Sequence, residues 1–436
     1  MNKFIFKRHI LNNRLFQDSF WAIFGSVLSK GLSLMAGIVV ARFLGKEMYG
    51  EYGMIKNTLV SIAIFSTFGL AYTTTKYIAA NKNKNPAILN FIIQYSRKVT
   101  LIISGSMSIL LFVGAGYIAD IVLKAPHLAM SLRLVALWVI FNAITSTQVG
   151  VLAGFGAFKD MVKVNLYIGI ITFILSVLCV YYGSLDGALF ALLLSQIVNC
   201  YLNYQLINKV NPKTDTQLNN ASVKVLKKEL IQYSFPIALQ EGIYSISSWL
   251  MCWLLIFLSG YDELGLYSAA SQWTTIVIFI PGILRNVILS HLSETFDNKK
   301  HFDKILRRTL GVNLVSVLIP CGIIFLFSGI IASFYGSNFN GLSIIISIAI
   351  FSVIPMSLSN VYTQAFLSQN KNWIVLYLKI AVFGLTFILS YFFIIIKLTH
   401  SAALSVYISA LIANFIHLIL LIFFYKTLQI KPEKIY

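Results

Sequence analysis

Apolar runs of about twenty residues recur along the whole chain, separated by short polar breaks. A run of that length crosses a hydrocarbon core roughly 30 Å thick when it is helical. Helix is the form a single segment must take there, because every backbone donor and acceptor has to be satisfied within the segment. The pattern predicts twelve spanning helices, near residues 20–44, 55–80, 94–118, 128–153, 162–183, 187–208, 230–258, 264–290, 309–335, 341–368, 373–397 and 401–425. The connections are short, the two longest being Asn208–Glu229 and Ser290–Arg308. The fold class is therefore an all-α polytopic membrane protein.

The first run, FWAIFGSVLSKGLSLMAGIVVARFLGKEMYGEYG from Phe20 to Gly53, carries several signals at once. Gly25, Ser29, Ser33, Gly37 and Ala41 recur every four residues and form a small-residue stripe, on which another helix can approach closely in a membrane. Lys30 puts a full charge inside the run. The run ends at Gly45, and Lys46–Tyr52 reads as a short polar turn.

Parts of this stretch occur twice. Gln17-x-Ser19-Phe20 returns as Gln232-x-Ser234-Phe235, and Gly45, Gly50 and Tyr52 return as Gly260, Gly265 and Tyr267. Thr172–Ser176 (TFILS) returns at Thr386–Ser390. The offset is 215 or 214 residues each time and the order is kept, which makes a duplication of six spans. An even number of spans gives both copies the same direction, so the repeat axis lies along the membrane normal, as in transporters whose two lobes rock about a central site. The predicted organisation is an N-terminal lobe at 1–210, a cytoplasmic linker at 211–228 and a C-terminal lobe at 229–436.

Composition agrees with a membrane protein. Of 436 residues 58% are hydrophobic and 11% charged, with a mean hydropathy of +0.80, against about a quarter charged in soluble domains. The net charge of +19 raises the possibility of nucleic acid, but its distribution argues against that. Of 34 Lys and Arg, 25 fall at the termini or in the connections after even-numbered spans with the adjoining helix ends, six in the odd-numbered connections with theirs, and Lys30, Arg285 and Lys379 lie deeper within spans. The positive-inside rule then places both termini in the cytoplasm. The basic, Asn-rich start lacks the short apolar core and cleavage site of a signal peptide. Cys179, Cys200, Cys252 and Cys321 sit in apolar spans without metal-type spacing and read as packing residues.

The stretches RFLGKEMYGEYG, FGLAYTTTKYIA, YSFPIALQEGIYSISSWL and GLYSAASQW resemble the polysaccharide flippase family. That family includes the O-antigen (Wzx-type) flippases of the multidrug/oligosaccharidyl-lipid/polysaccharide exporter superfamily. The resemblance covers nearly the whole chain. It implies two six-helix bundles in a V around a cavity lined by spans one, two, seven and eight. It also implies alternating-access transport of an undecaprenyl-pyrophosphate-linked oligosaccharide, an O-antigen, capsule or exopolysaccharide unit, to the periplasmic leaflet of a bacterial inner membrane. Partners implied are the lipid-linked glycan, the bilayer and polysaccharide polymerase or chain-length machinery, with no cofactor, metal or catalytic residue.

A charge within a span costs roughly 2.5–3.5 kcal/mol on insertion scales and needs a partner or a water-filled cavity. Lys30 in span one and Glu241 in span seven lie at similar depth in equivalent helices. Lys30 is expected to contact pyrophosphate or an acidic sugar, with Glu241 as its charge partner or an ion-coupling acid; the alternative is one structural ion pair. Arg285 and Lys76, near the cytoplasmic ends of spans eight and two, are candidates for a cationic mouth or for snorkelling to headgroups. Lys379 and His417 read as snorkelling and packing residues, and Pro236 and Pro281-Gly282 as kinks in cavity-side helices. Two negative charges moved outward gain roughly 4.6 kcal/mol per 100 mV of inside-negative potential, enough to drive export without a coupling ion.

Two other classes compete. An H⁺- or Na⁺-coupled drug or metabolite antiporter of the same architecture would want an acid deep in span one, where this chain has Lys30. A membrane glycosyltransferase, polymerase or ligase would need clustered polar residues in a large outer loop, and there is no GxxxxGK[ST] phosphate loop.

Overall fold

The structure is a computed structural model. It describes residues 2–81, 86–211, 220–294, 299–369 and 371–427, with side chains at 2–27, 80, 220–222, 236, 240, 280, 283–294, 299, 367 and 372 outside the described part. The helices are α1 (Asn2–Thr67), α2 (Leu70–Asn81), α3 (Pro86–Tyr117), α4 (Leu128–Phe155), α5 (Phe158–Val210) and α6 (Asn220–Ser259). They continue as α7 (Tyr261–Glu294), α8 (Lys299–Leu326), α9 (Ser328–Tyr335), α10 (Leu342–Ser368), α11 (Asn372–Ile395) and α12 (Ala402–Thr427). Among the described residues, nine stretches are long and apolar enough to cross a membrane.

These nine account for the twelve predicted spans once their breaks are read. The stretch Leu28–Thr67 is interrupted at Gly45 (φ 71°, ψ 174°) and Phe158–Val210 at Ser184 (φ 48°). Each is therefore two spans, and the 34-residue α7 supplies the twelfth. Span two also differs from its predicted bounds. It starts directly after Gly45, not at residue 55, and breaks at Phe68 and Gly69, both with positive φ. Lys46–Tyr52 is thus the opening of a helix rather than a polar turn, with Tyr49, Gly50, Glu51 and Tyr52 buried.

The duplication is visible in backbone and core. Gly45 and Gly260, 215 residues apart, both hold positive φ, at 71° and 85°, a conformation that glycine adopts without the Cβ penalty. Packing divides the chain into two compact units, Met1–Leu44 with Met54–Trp249, and Gly45–Gly53 with Leu250–Tyr436. In the first unit α4 is the hub, packed against α2, α3 and α5. In the second α10 has that role, against α7, α8 and α12. The two hubs are one offset apart in sequence. A core cluster in the first unit contains Val151 and Leu206, and one in the second contains their offset equivalents Phe366 and Leu421.

Small residues set the helix spacing inside the first unit. A Cβ built on Gly150 of α4 would lie 2.2 Å from the Ala71 carbonyl oxygen of α2, and Thr75 Oγ1 donates to the Gly150 carbonyl at 2.9 Å. The stripe predicted on α1 packs in part as expected. Ser29 donates to the Asn165 carbonyl at 2.8 Å and faces Gly169 of α5, and Ala41 is fully buried. Gly25 lies outside the described side chains.

Candidate functional site

The site is built on α1 and α6. Past Gly45, the second half of α1 and then α2 run antiparallel to α6 within the first unit. Asn57 Nδ2 donates to the Ser248 carbonyl at 3.3 Å, and Trp249 Nε1 to Thr58 Oγ1 at 3.0 Å. Further along, Gly242 lies under the Phe65 ring, Gly69 lies against Ser234 and Ile237, and the Thr73 and Ser234 hydroxyls meet at 2.6 Å. Glycine at 242 and 69 lets these helices approach where a Cβ would fall 2.8 Å from a ring carbon and 2.7 Å from a carbonyl oxygen.

Lys30 lies fifteen residues before Gly45 and Lys56 eleven after it, both exposed. The break at Gly45 folds the two arms of α1 back so that the two ammonium groups come within Coulombic range of each other. Sequence reasoning misses Lys56 because a second span beginning at residue 55 puts this lysine at the helix end, beside the connection. Its signal was the spacing from Gly45: a cation eleven residues beyond a helix break lies well inside the returning helix.

Glu241 is half-buried beside the Gly242–Phe65 contact, and its carboxylate acts on the Tyr244 hydroxyl one turn on. It is two turns of α6 from Ser248, the partner of Asn57, which is roughly 10 Å along the axis. Lys76 lies at the far end of α2, twenty residues and roughly 30 Å of helix beyond Lys56. Its Nζ is 3.8 Å from the centre of the Tyr233 ring, a cation–π contact, with Tyr77 packed edge-on to the same ring. The side chain of Arg285 on α7 lies outside the described residues, as does that of Pro236. In the second unit Lys379 is within Coulombic range of the buried His417.

Glu51, 7% exposed, is an acid that sequence reasoning places in a short polar turn. Among the described residues no group of three or more His, Cys, Asp or Glu is placed to hold a metal ion. What the arrangement offers chemically is two neighbouring cations in a spanning helix pair, with one acid further along α6.

A model of the polysaccharide biosynthesis protein family matches residues 15–296. The chain belongs to that family. A sequence relative, an uncharacterized membrane protein of Methanocaldococcus jannaschii, is 23% identical over 308 residues, 68% of this chain and 72% of the relative. Among solved structures, the fold is similar to the inward-facing conformation of a multidrug resistance MATE family transporter of the MOP superfamily. That match has a TM-score of 0.79 at 16% identity and covers 92% of this chain and 94% of the other. An outward-facing MATE structure overlays with a TM-score of 0.68 at 16% identity, covering 94% of each chain. The chain is thus a multi-pass membrane protein of the polysaccharide biosynthesis family with the MATE fold.

Proposed function

We propose that this transporter is a flippase that carries an undecaprenyl-pyrophosphate-linked oligosaccharide from the cytoplasmic to the periplasmic leaflet of a bacterial inner membrane. The two repeats, 1–210 and 229–436 joined by 211–228, act as its moving lobes. The observation that carries the reading is the placement of Lys30 and Lys56, two exposed cations on the two arms of α1 within spanning segments. Cations placed within spanning segments mark a water-filled route, and two of them on one route suit a doubly charged anion. A diphosphate supplies that anion, and the family supplies the glycan. Glu241, about 10 Å along α6 from the Asn57–Ser248 bond, offsets the pair when cargo is absent or takes up a coupling proton. Lys76 and Arg285 form the cytoplasmic mouth, where Lys76 leaves the Tyr233 ring for an incoming phosphate.

The test is transport of a fluorescent undecaprenyl-diphosphate oligosaccharide in proteoliposomes. Loss of one ammonium removes charge-assisted bonds of about 1.5–3 kcal/mol, so Lys30→Ala or Lys56→Ala lowers transport at limiting cargo roughly tenfold or more. Lys30→Arg keeps most of it. Unchanged transport in both alanine variants would sink the anion-site reading. A second reading, a drug or metabolite antiporter, is favoured by the likeness to multidrug MATE structures. It gains if an H⁺ or Na⁺ gradient drives uptake of a hydrophobic cation while the lipid diphosphate stays in its leaflet.

A further inference from the structure

The two copies of the repeated segment, 46–53 and 261–268, are folded against each other within the second packing unit. A Cβ built on Gly50 would lie 2.0 Å from the Tyr261 carbonyl oxygen, and one on Gly265 would lie 1.9 Å from the Lys46 carbonyl oxygen. Lys46 and Tyr261 are 215 residues apart, as are Gly50 and Gly265. One contact is therefore made twice about a local two-fold axis, each glycine Cα–H facing the other segment's carbonyl. Gly53 and Ser268, again 215 apart, meet each other, with a built Cβ 2.3 Å from Ser268 Oγ. A self-paired position of that kind lies on the axis.

Polar groups close the margins of this contact. Lys46 Nζ is 3.1 Å from Asp262 Oδ2, with the two side chains 36% and 48% exposed. Gln272 Nε2 donates to the Tyr49 hydroxyl, and Tyr49 stacks on Tyr52 and meets Phe339 edge-on. Bulky side chains do not interdigitate at the centre, where glycine backbones touch. Cα–H···O contacts and a half-exposed ion pair are individually weak, so the surfaces can separate and re-form without unpacking a core. Gly45 and Gly260 lie immediately before the two segments, in a conformation that terminates the preceding helix.

We infer that the contact of 46–53 with 261–268 is the extracytoplasmic closure of the transport path. It is a reversible latch centred on Gly50 and Gly265 and pinned by Lys46–Asp262, and it opens in each cycle. The side of the membrane rests on the flippase reading above; the latch itself does not.

The test uses full-length protein with its four native cysteines replaced by serine. A pair of variants, Lys46→Cys and Asp262→Cys, is combined with a protease site inserted in the polar 212–219 stretch, so that an intramolecular cross-link joins two fragments on a gel. A short, reducible bifunctional thiol reagent joins the pair, and cross-linking stops transport until reductant is added. Adding Gly50→Ala or Gly265→Ala lowers the cross-link yield roughly tenfold or more, because the new methyl cannot coexist with the facing carbonyl. Equal yields with and without these substitutions, or full transport by the cross-linked protein, would overturn the latch.

A milder arm covers poor folding of the glycine variants. With Ser268→Cys as reporter, Lys46→Glu raises its alkylation rate several-fold, and adding Asp262→Lys returns it to the starting rate. Identical rates in all three proteins would also overturn the proposal. The cross-linking and alkylation readouts need no cargo. If they behave as stated while the lipid-linked glycan is not moved, the latch stands and the flippase reading falls.

Discussion

Helix spacing at the α2–α4 contact makes the sharpest stability prediction, and a graded one. A methyl added at Gly150 meets the Ala71 carbonyl oxygen at 2.2 Å and Thr74 Oγ1 at 2.5 Å, while one at Gly154 meets Ile78 Cβ at 2.8 Å and the Thr75 carbonyl oxygen at 3.0 Å. A methyl at Gly105 on α3 meets nothing within 4 Å. Overpacking costs about 1–3 kcal/mol, and backbone contacts yield less than side chains do, so Gly150→Ala belongs at the upper end and Gly154→Ala lower. Gly150→Ala also strains the bond from Thr75 Oγ1 to the Gly150 carbonyl, worth about 0.6 kcal/mol by the average for membrane helices. Gly105→Ala gains about 0.5–1 kcal/mol in helix propensity. Each kcal/mol moves the midpoint of a unit this size by about 2–4 °C, so Gly150→Ala should lower it by roughly 5–10 °C. The assay is thermal unfolding in detergent, followed by a fluorogenic dye that reacts with the buried thiols of Cys252 and Cys321. All variants are scanned at one heating rate, because such unfolding is often irreversible. If Gly150→Ala and Gly105→Ala unfold at the same temperature, close approach at Gly150 does not set the spacing and the reasoning is wrong.

Two further substitutions probe the joints of the fold. Gly45→Ala places an L side chain at φ 71°, ψ 174°, a region essentially reserved for glycine, and should cost about 1–3 kcal/mol; an unchanged unfolding midpoint would contradict it. Glu263 Oε2 accepts from the Ala403 amide at 2.9 Å and the Ser401 hydroxyl at 2.6 Å, tying α7 to the start of α12. Glu263→Gln keeps the shape but loses the charge, so it should cost about 1 kcal/mol against more for Glu263→Ala, and equal midpoints for the two would refute a charge-assisted cap.

The fold was more legible in the sequence than the site, and the reason is physical. Span length and hydrophobicity are set by the bilayer, so twelve apolar runs and a 215-residue offset carry through to helices, hub helices α4 and α10, and paired glycines at 45 and 260. Helix starts within polar stretches are not set that way. Lys46–Tyr52 reads as a short polar turn because Lys46, Glu47 and Glu51 are charged, yet the segment is helical and buries Glu51 and two tyrosines. That single misreading hid both Lys56 and the contact at Gly50, since each depends on knowing that the helix restarts at residue 46. The sequence showed that the turn was duplicated, but not that the copies touch. A repeat offset says which residues are equivalent, and only packing can say that Gly50 and Gly265 each face the carbonyl four residues before the other. Duplication nevertheless makes such a contact inexpensive to evolve, because one glycine and one carbonyl at the right spacing, once doubled, supply both halves of a two-fold interface. A charge on one copy alone, Lys46 against Asp262, then breaks the symmetry without disturbing the backbone contact. Substitution at 46 or 262 should therefore tune how firmly the surfaces hold, whereas substitution at 50 or 265 decides whether they meet.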